Sequence, residues 1–234
     1  MRVQIALRLV ALTIVALVAA ACGGAASVAV DPTAAPTTAA PTTAAPTATA
    51  AAAALSCAVT DRSKATVRVH EQLVGLNLPS DAVLTATGAK GSFSLNADGT
   101  FAGGSKITFD LTTLSSDNRD RDNFVKQDTL GTRQFPTATF VPTKVTGLAL
   151  PLAASGDFTF TLIGALTIHG KDKAVSFDVK ATRNGSDLVA TATANPTLKF
   201  EDFGMSAPSV PFRVVSVTDE IRLVVDLVAT GPAM

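Results

Sequence analysis

Apolar and polar side chains alternate in several stretches of this chain. In SKITFDLTTL, Ile107, Phe109 and Leu111 fall on one face, and Lys106, Thr108 and Asp110 on the other. DFTFTL repeats the pattern with Phe158, Phe160 and Leu162, and KAVSFDVKA with Val175, Phe177 and Val179. EIRLVVDLVA does so with Ile221, Leu223, Val225 and Leu227. A period of two marks strands with one buried face. NADG at 96–99, HGKD at 169–172 and NGSD at 184–187 supply residues that tolerate positive φ in tight turns. Many strands with short joints and no strand–helix–strand rhythm predict an all-β antiparallel meander, closed into a barrel or folded as a sandwich. The strands are rich in Ala, Ser, Thr and Val, which favours a barrel of about eight strands with room inside over a sandwich filled to native density.

One stretch breaks the pattern. SSDNRDRDNF, residues 115–124, packs Asp117, Arg119, Asp120, Arg121 and Asp122 together. Ser115, Ser116 and Asp117 are N-cap candidates, acidic residues in a first turn complement the helix dipole, and Gly131 is a stop. Phe124, Val125 and Leu130 offer a short apolar stripe. The spacing predicts a helix over residues 117–130 that joins two strands. Its charges are expected on a solvated face, with Arg119 and Arg121 as the alternative head-group site.

The N-terminal third reads differently. Arg2 and Arg8 precede an apolar run from Leu9 to Ala21, of signal-peptide length and too short to span a bilayer. VAAACGG then places Cys22 where a bacterial lipobox places its acylated Cys, although Ala19–Ala21 also suits ordinary secretory cleavage. Lipidation is the favoured reading, because the chain has only 2 Cys and one of them stands here. Residues 23–56 are Ala, Thr and Pro with a single charge, Asp31, a composition that cannot bury a core. The expected organisation is a signal peptide at 1–21, a lipidated Cys22 with a disordered tether over 22–57, and one domain from 58 to 234. Cys57 is expected as a spare thiol at the end of the tether.

Charge and chemistry narrow the function. With 19 basic and 19 acidic side chains there is no basic stripe for nucleic acid. The only His are His70 and His169, fewer than a metal site's usual three or four ligands. No GxSxG, HExxH, Gly-rich phosphate loop or Cys–His pair occurs. These absences argue against an enzyme, a metal site and a cofactor.

The pieces SKITFDLTTLSSDNRDRDNFVKQDTLGTRQFPTATFVPT, LIGALTIHGKDKAVSFDV and FEDFGMSAPSV, with the closing VTDEIRLVVDL, resemble the YceI-like family of bacterial polyisoprenoid-binding proteins over residues 63–229. Two departures are HGKDKAV, where the family more often has Thr and Pro before the Val, and Phe135 in place of a frequent Tyr. The resemblance implies a lipocalin-like, extended up-and-down barrel with a helix beside it, and an apolar tunnel holding a long isoprenoid such as a polyprenyl or quinone chain. Candidate lining residues are Phe93, Phe109, Leu111, Phe140, Phe158, Phe160, Leu166, Ile168, Phe177 and Val179. Ala165 and Ala174 are positions by which such a tunnel would be narrowed if they face inward. The expectation is an envelope lipoprotein that carries, stores or senses an amphiphilic lipid. The alternative is a structural or adhesive surface lipoprotein whose core is dry.

Overall fold

The computed structural model describes residues 53–210 and 212–231, and the expected signal peptide, Cys22 and most of the expected tether lie outside them. Nine strands form one antiparallel sheet: β1 (Ala53–Val59), β2 (Lys64–Leu73), β3 (Ser80–Asn96), β4 (Lys106–Ser115), β5 (Thr137–Thr146), β6 (Ser155–Ile168), β7 (Lys171–Asn184), β8 (Asp187–Ala194) and β9 (Val214–Thr230). The order β1-β3-β2-β9-β8-β7-β6-β5-β4 closes on itself through β3–β4. β1 pairs with the 92–96 end of β3 and the last residues of β9, while β2 pairs with the 80–86 end of β3 and most of β9. β1 and β2 therefore follow one another in a single place in the ring. Nine strands fill eight places, and the expected barrel of about eight strands is what forms.

The alternation sets which face turns inward. Ile107, Phe109 and Leu111 of β4, Val175, Phe177 and Val179 of β7, and Ile221 and Leu223 of β9 are all buried in the barrel. Two hairpins form as the turn residues demand. His169 and Gly170 at φ 52° and 69° join β6 to β7, and Gly185 at φ 61° helps join β7 to β8. Strand β3 must bend to serve both the β1/β2 seam and β4. Its register with β4 shifts between Thr85 and Lys90, and Gly91 at φ 127° follows, where a Cβ would lie 2.0 Å from the Lys106 carbonyl oxygen.

Two sequence expectations need correction. The sheet starts at Ala53, upstream of the domain boundary expected at 58, and Cys57 is no linker thiol. It sits inside β1 at 4% exposure, within the main core cluster. Desolvation by that burial pushes its thiol pKa up, against a smaller opposing pull from the Arg183 guanidinium. Cys57 is expected to resist a soluble maleimide in the native protein and to react fast in denaturant. Equal labelling rates in the two conditions, read by mass spectrometry, would show that β1 is not seated.

The short helix stands where it was expected, within residues 117–130, but its cap and its second half differ in detail. Asn118, rather than Ser115, Ser116 or Asp117, caps it, accepting from the backbone N–H groups of Asp120 and Arg121. One short α-helix, α1 (Arg119–Phe124), then widens into a π-helical turn, Val125–Thr129, that ends before Gly131 at φ 56°. Val125 and Leu130 pack on Ala82, Leu84, Ala86 and Leu114, at the end of the barrel where β3 begins and β4 ends. Nor are all the charges solvated. Asp122 is buried and accepts from the Ser116 N–H at 2.8 Å and its hydroxyl at 2.6 Å, tying the helix to the end of β4. At the opposite end, the β5–β6 connection packs Leu148, Leu150 and Leu152 on the core. Arg183, 2% exposed, donates there to the carbonyls of Gly185 and Ala153.

Candidate functional site

The inside of the barrel is not filled. A cavity of about 180 Å³ runs through it, and every residue on its wall is Ala, Val, Leu, Ile, Phe or Pro. All ten lining residues expected from the alternation stand on that wall. The rings set its shape: Phe140 and Phe177 meet edge to face with centroids 5.3 Å apart, and Phe93 and Phe101 at 6.3 Å. The space itself comes from small residues that periodicity alone did not single out. Ala65, Ala86, Ala181, Ala190 and Ala192 also face inward. Ala181 and Ala190 lie directly opposite one another on β7 and β8. Ala165 and Ala174 pair across β6 and β7 but are not on the wall, and Ala174 is exposed.

A second cavity, of about 490 Å³, lies under α1 and the π-helical turn. It shares Val67, Leu111, Leu114, Ile168 and Ile221 with the first, so the two adjoin across an apolar boundary. Its other walls come from the ends of β2 and β4, the starts of β3 and β9, and the segment holding Met205, Pro208 and Val210. This is the mouth of the barrel.

Of the two cavities, the mouth is the one with polar groups on its wall. Arg121 donates from Nη2 to Glu71 Oε1 at 2.7 Å and from Nη1 to Asp117 Oδ1 at 2.6 Å. Arg213 donates from Nη1 to Asp120 Oδ2 at 2.9 Å. These pairs tie α1 to β2 and to the residue just before β9, across the opening. Of the two arginines singled out from sequence, Arg121 reaches the mouth with its side chain 18% exposed, and Arg119 stays outside it, exposed. Glu71 escaped sequence reasoning, although a signal was present. It continues the inward phase of Ala65, Val67 and Val69, where an apolar residue belongs. His70 faces out and meets Asp81 at 3.1 Å, and His169 occupies its turn beside Phe135. Among the described residues no cluster of His, Cys, Asp or Glu is arranged to hold a metal ion.

A closed antiparallel barrel with a phenyl-lined interior, open at one end beneath a short helix, defines a lipocalin-like protein with an apolar inner chamber. The chain belongs to the YceI-like family, whose domain matches residues 59–229. It is 37% identical over 113 residues to a UPF0312 protein of Pseudomonas putida strain F1, covering 44% of this chain and 54% of that one. Against a UPF0312 protein of Yersinia enterocolitica the figure is 25% over 142 residues, covering 58% and 67%. The chain thus spans about half the length of the Pseudomonas relatives it matches. Among solved structures it is similar to a polyisoprenoid binding domain from Saccharophagus degradans, with TM-score 0.56, 12% identity, and 76% of this chain and 99% of that one covered. A mutant YCEI protein of Campylobacter jejuni gives TM-score 0.50 at 18% identity, covering 70% and 91%. At these identities the likeness is one of fold.

Proposed function

We propose that the barrel binds one long isoprenoid chain, or a similar amphiphilic lipid, with its hydrocarbon in the inner chamber and its polar end at the mouth. The observation that carries this reading is the inner cavity with no polar residue on its wall, adjoined at one end by a second cavity whose wall carries charged groups. Burying hydrocarbon contributes ~0.8 kcal/mol per CH₂, so each length of chain that enters the two cavities is held by apolar burial alone. The Saccharophagus domain of the same fold is described as polyisoprenoid binding, which supports the assignment. Binding of this kind needs no catalytic group, and we assign none.

The test is the lipid content of the protein. Gently purified chain, extracted with organic solvent, is expected to yield close to one isoprenoid per protein by mass spectrometry. An extract with no stoichiometric lipid, and no uptake of added polyprenol or quinone, would leave a structural or adhesive barrel with a dry core.

The same reading makes this a lipoprotein of the bacterial envelope, facing away from the cytoplasm, that carries, stores or senses its ligand. Its support is the apolar run ending at Cys22 and the Ala/Thr/Pro segment after it. The native N-terminus is expected to be a diacylglyceryl-modified Cys22. An unmodified mature terminus, read by mass spectrometry, would make the protein a plainly secreted one.

A further inference from the structure

The described residues expose seven large apolar side chains, and five of them stand together. Val74, Leu76 and Leu78, at 53%, 53% and 78% exposure, lie on the β2–β3 loop, and Phe212 and Val215, at 96% and 65%, lie where the chain enters β9. The two segments are joined: the Val74 N–H donates to the Arg213 carbonyl at 3.0 Å, and Leu73 pairs with Val214. Phe212 is unfavourable twice over in water. Its ring is almost wholly exposed, and its φ of 65° lies where a bulky L side chain rarely goes. The sequence of the tip is as unusual as its exposure. No charged residue occurs from Leu73 to Ser80, or from Phe203 to Phe212.

We propose that this tip inserts into the surface of a lipid bilayer and so holds the mouth of the barrel against it. Three observations select a bilayer as the occupant. The first is continuity. Leu73 and Val214, next in the chain to Val74 and Val215, line the mouth together with Val210, so the apolar surface of the tip continues onto the wall of the mouth. The second is charge. The nearest charged groups, Arg121 with Glu71 and Asp117, and Arg213 with Asp120, are already paired. Two guanidiniums face three carboxylates there, so the tip carries no positive field to draw it to an anionic partner, and apolar insertion into a zwitterionic bilayer needs none.

The third is the length of chain before β1. The chain enters the barrel at Ala53, opposite Asn96, while the tip adjoins Ser80 at the other end of β3. Residues 23–52 separate Cys22 from that entry. At ~3.1 Å per residue in an extended form they reach roughly 90 Å. The 17-residue β9, at ~3.3 Å per residue, is about 55 Å long. A chain anchored at Cys22 thus has enough reach to turn its far end to the same membrane. Docking rests on the lipid-chamber reading only for its purpose; its geometry is independent.

The test uses the mature chain with Cys22→Ser, which removes the anchor and leaves all else, floated with phosphatidylcholine vesicles. The chain is expected to float with the vesicles at low and high salt alike. Leu78→Asn/Phe212→Asn, and more weakly Phe212→Asn alone, should lower vesicle binding by about tenfold or more. Val141→Thr/Val189→Thr, which alters the other two exposed apolar positions, should not. Binding of a polyprenol presented in detergent micelles separates the two readings. If the tip variants keep that binding while losing vesicles, docking and chamber both stand. A chain that floats but takes up no polyprenol retains docking and loses the chamber. A chain that takes up polyprenol but never floats, or floats equally well with both tip residues replaced, overturns the docking proposal. So does a sedimenting dimer that only the tip substitutions dissolve and that ignores vesicles, because the occupant is then a second copy of the chain.

Discussion

An Ala190→Phe chain is expected to purify without bound isoprenoid and to bind none when it is supplied, while still folding. Ala190 and Ala181 face one another across β7 and β8, are 6% and 5% exposed, and both stand on the wall of the inner chamber. With two methyl groups opposed, the chamber stays open there. A phenyl ring grafted at Ala190 enters the space the ligand is proposed to fill, in a cavity of only about 180 Å³. The ring has somewhere to go, so the cost to the fold is that of moderate overpacking, about 1–3 kcal/mol. For a domain of this size that is a loss of roughly 2–12 °C in Tm. Affinity and stability are therefore predicted to part company: uptake falls below detection and the melting transition remains cooperative. Ala181→Leu is the milder companion, expected to weaken uptake with a smaller shift in Tm. Full stoichiometric lipid in a folded Ala190→Phe chain would remove the chamber as the binding site.

The residues that make this chamber were only half visible in the sequence, and the reason is physical. A strand with one wet face and one dry face writes its orientation into the chain, so β4, β7 and β9 could be read with their inward residues named. The same logic located the Phe residues on the chamber wall. Alternation weakens where both faces carry small residues. Ala165 and Ala174 do not announce a face by their own type, but both fall in the phase opposite to Leu162 and Val175, and the structure leaves both off the wall. β1 was hidden for a related reason. Leu55 and Cys57 are its buried residues, but they follow a run of Ala that has the composition of a tether. The helix shows a different limit. Its position followed from Asn, Asp and Gly chemistry, but the widening of its second half, where Val125 and Leu130 pack on the barrel, has no signal in the local pattern. Glu71 was legible in principle. A carboxylate in the inward phase of a strand requires a partner, and the nearby cluster of arginines was the place to look for one.

That partner makes Arg121→Met the most destabilising single change expected at the mouth. The Glu71 side chain is 7% exposed and that of Arg121 is 18% exposed, and their oxygen and nitrogen lie 2.7 Å apart. Removing the guanidinium leaves a carboxylate out of water with no cation, a situation that costs about 3–5 kcal/mol. Replacing both partners, as Glu71→Leu/Arg121→Met, removes the desolvated charge along with the ion pair and is expected to recover most of that loss. Arg119, exposed on the same helix, provides the control, and Arg119→Met should change stability by no more than about 0.5 kcal/mol. Urea unfolding of the four chains, including the unaltered one, measures all of this. The lipid readout is independent of it. Because Arg121 already serves two carboxylates, Glu71 and Asp117, it has little charge to offer a pyrophosphate. Affinity for an uncharged polyprenol or quinone is therefore expected to survive in the double variant. If Arg121→Met is no more costly than Arg119→Met, the pair is a solvated surface contact. If instead the double variant keeps quinone binding but loses a pyrophosphate-bearing lipid, the charges of RDRD are a head-group site after all.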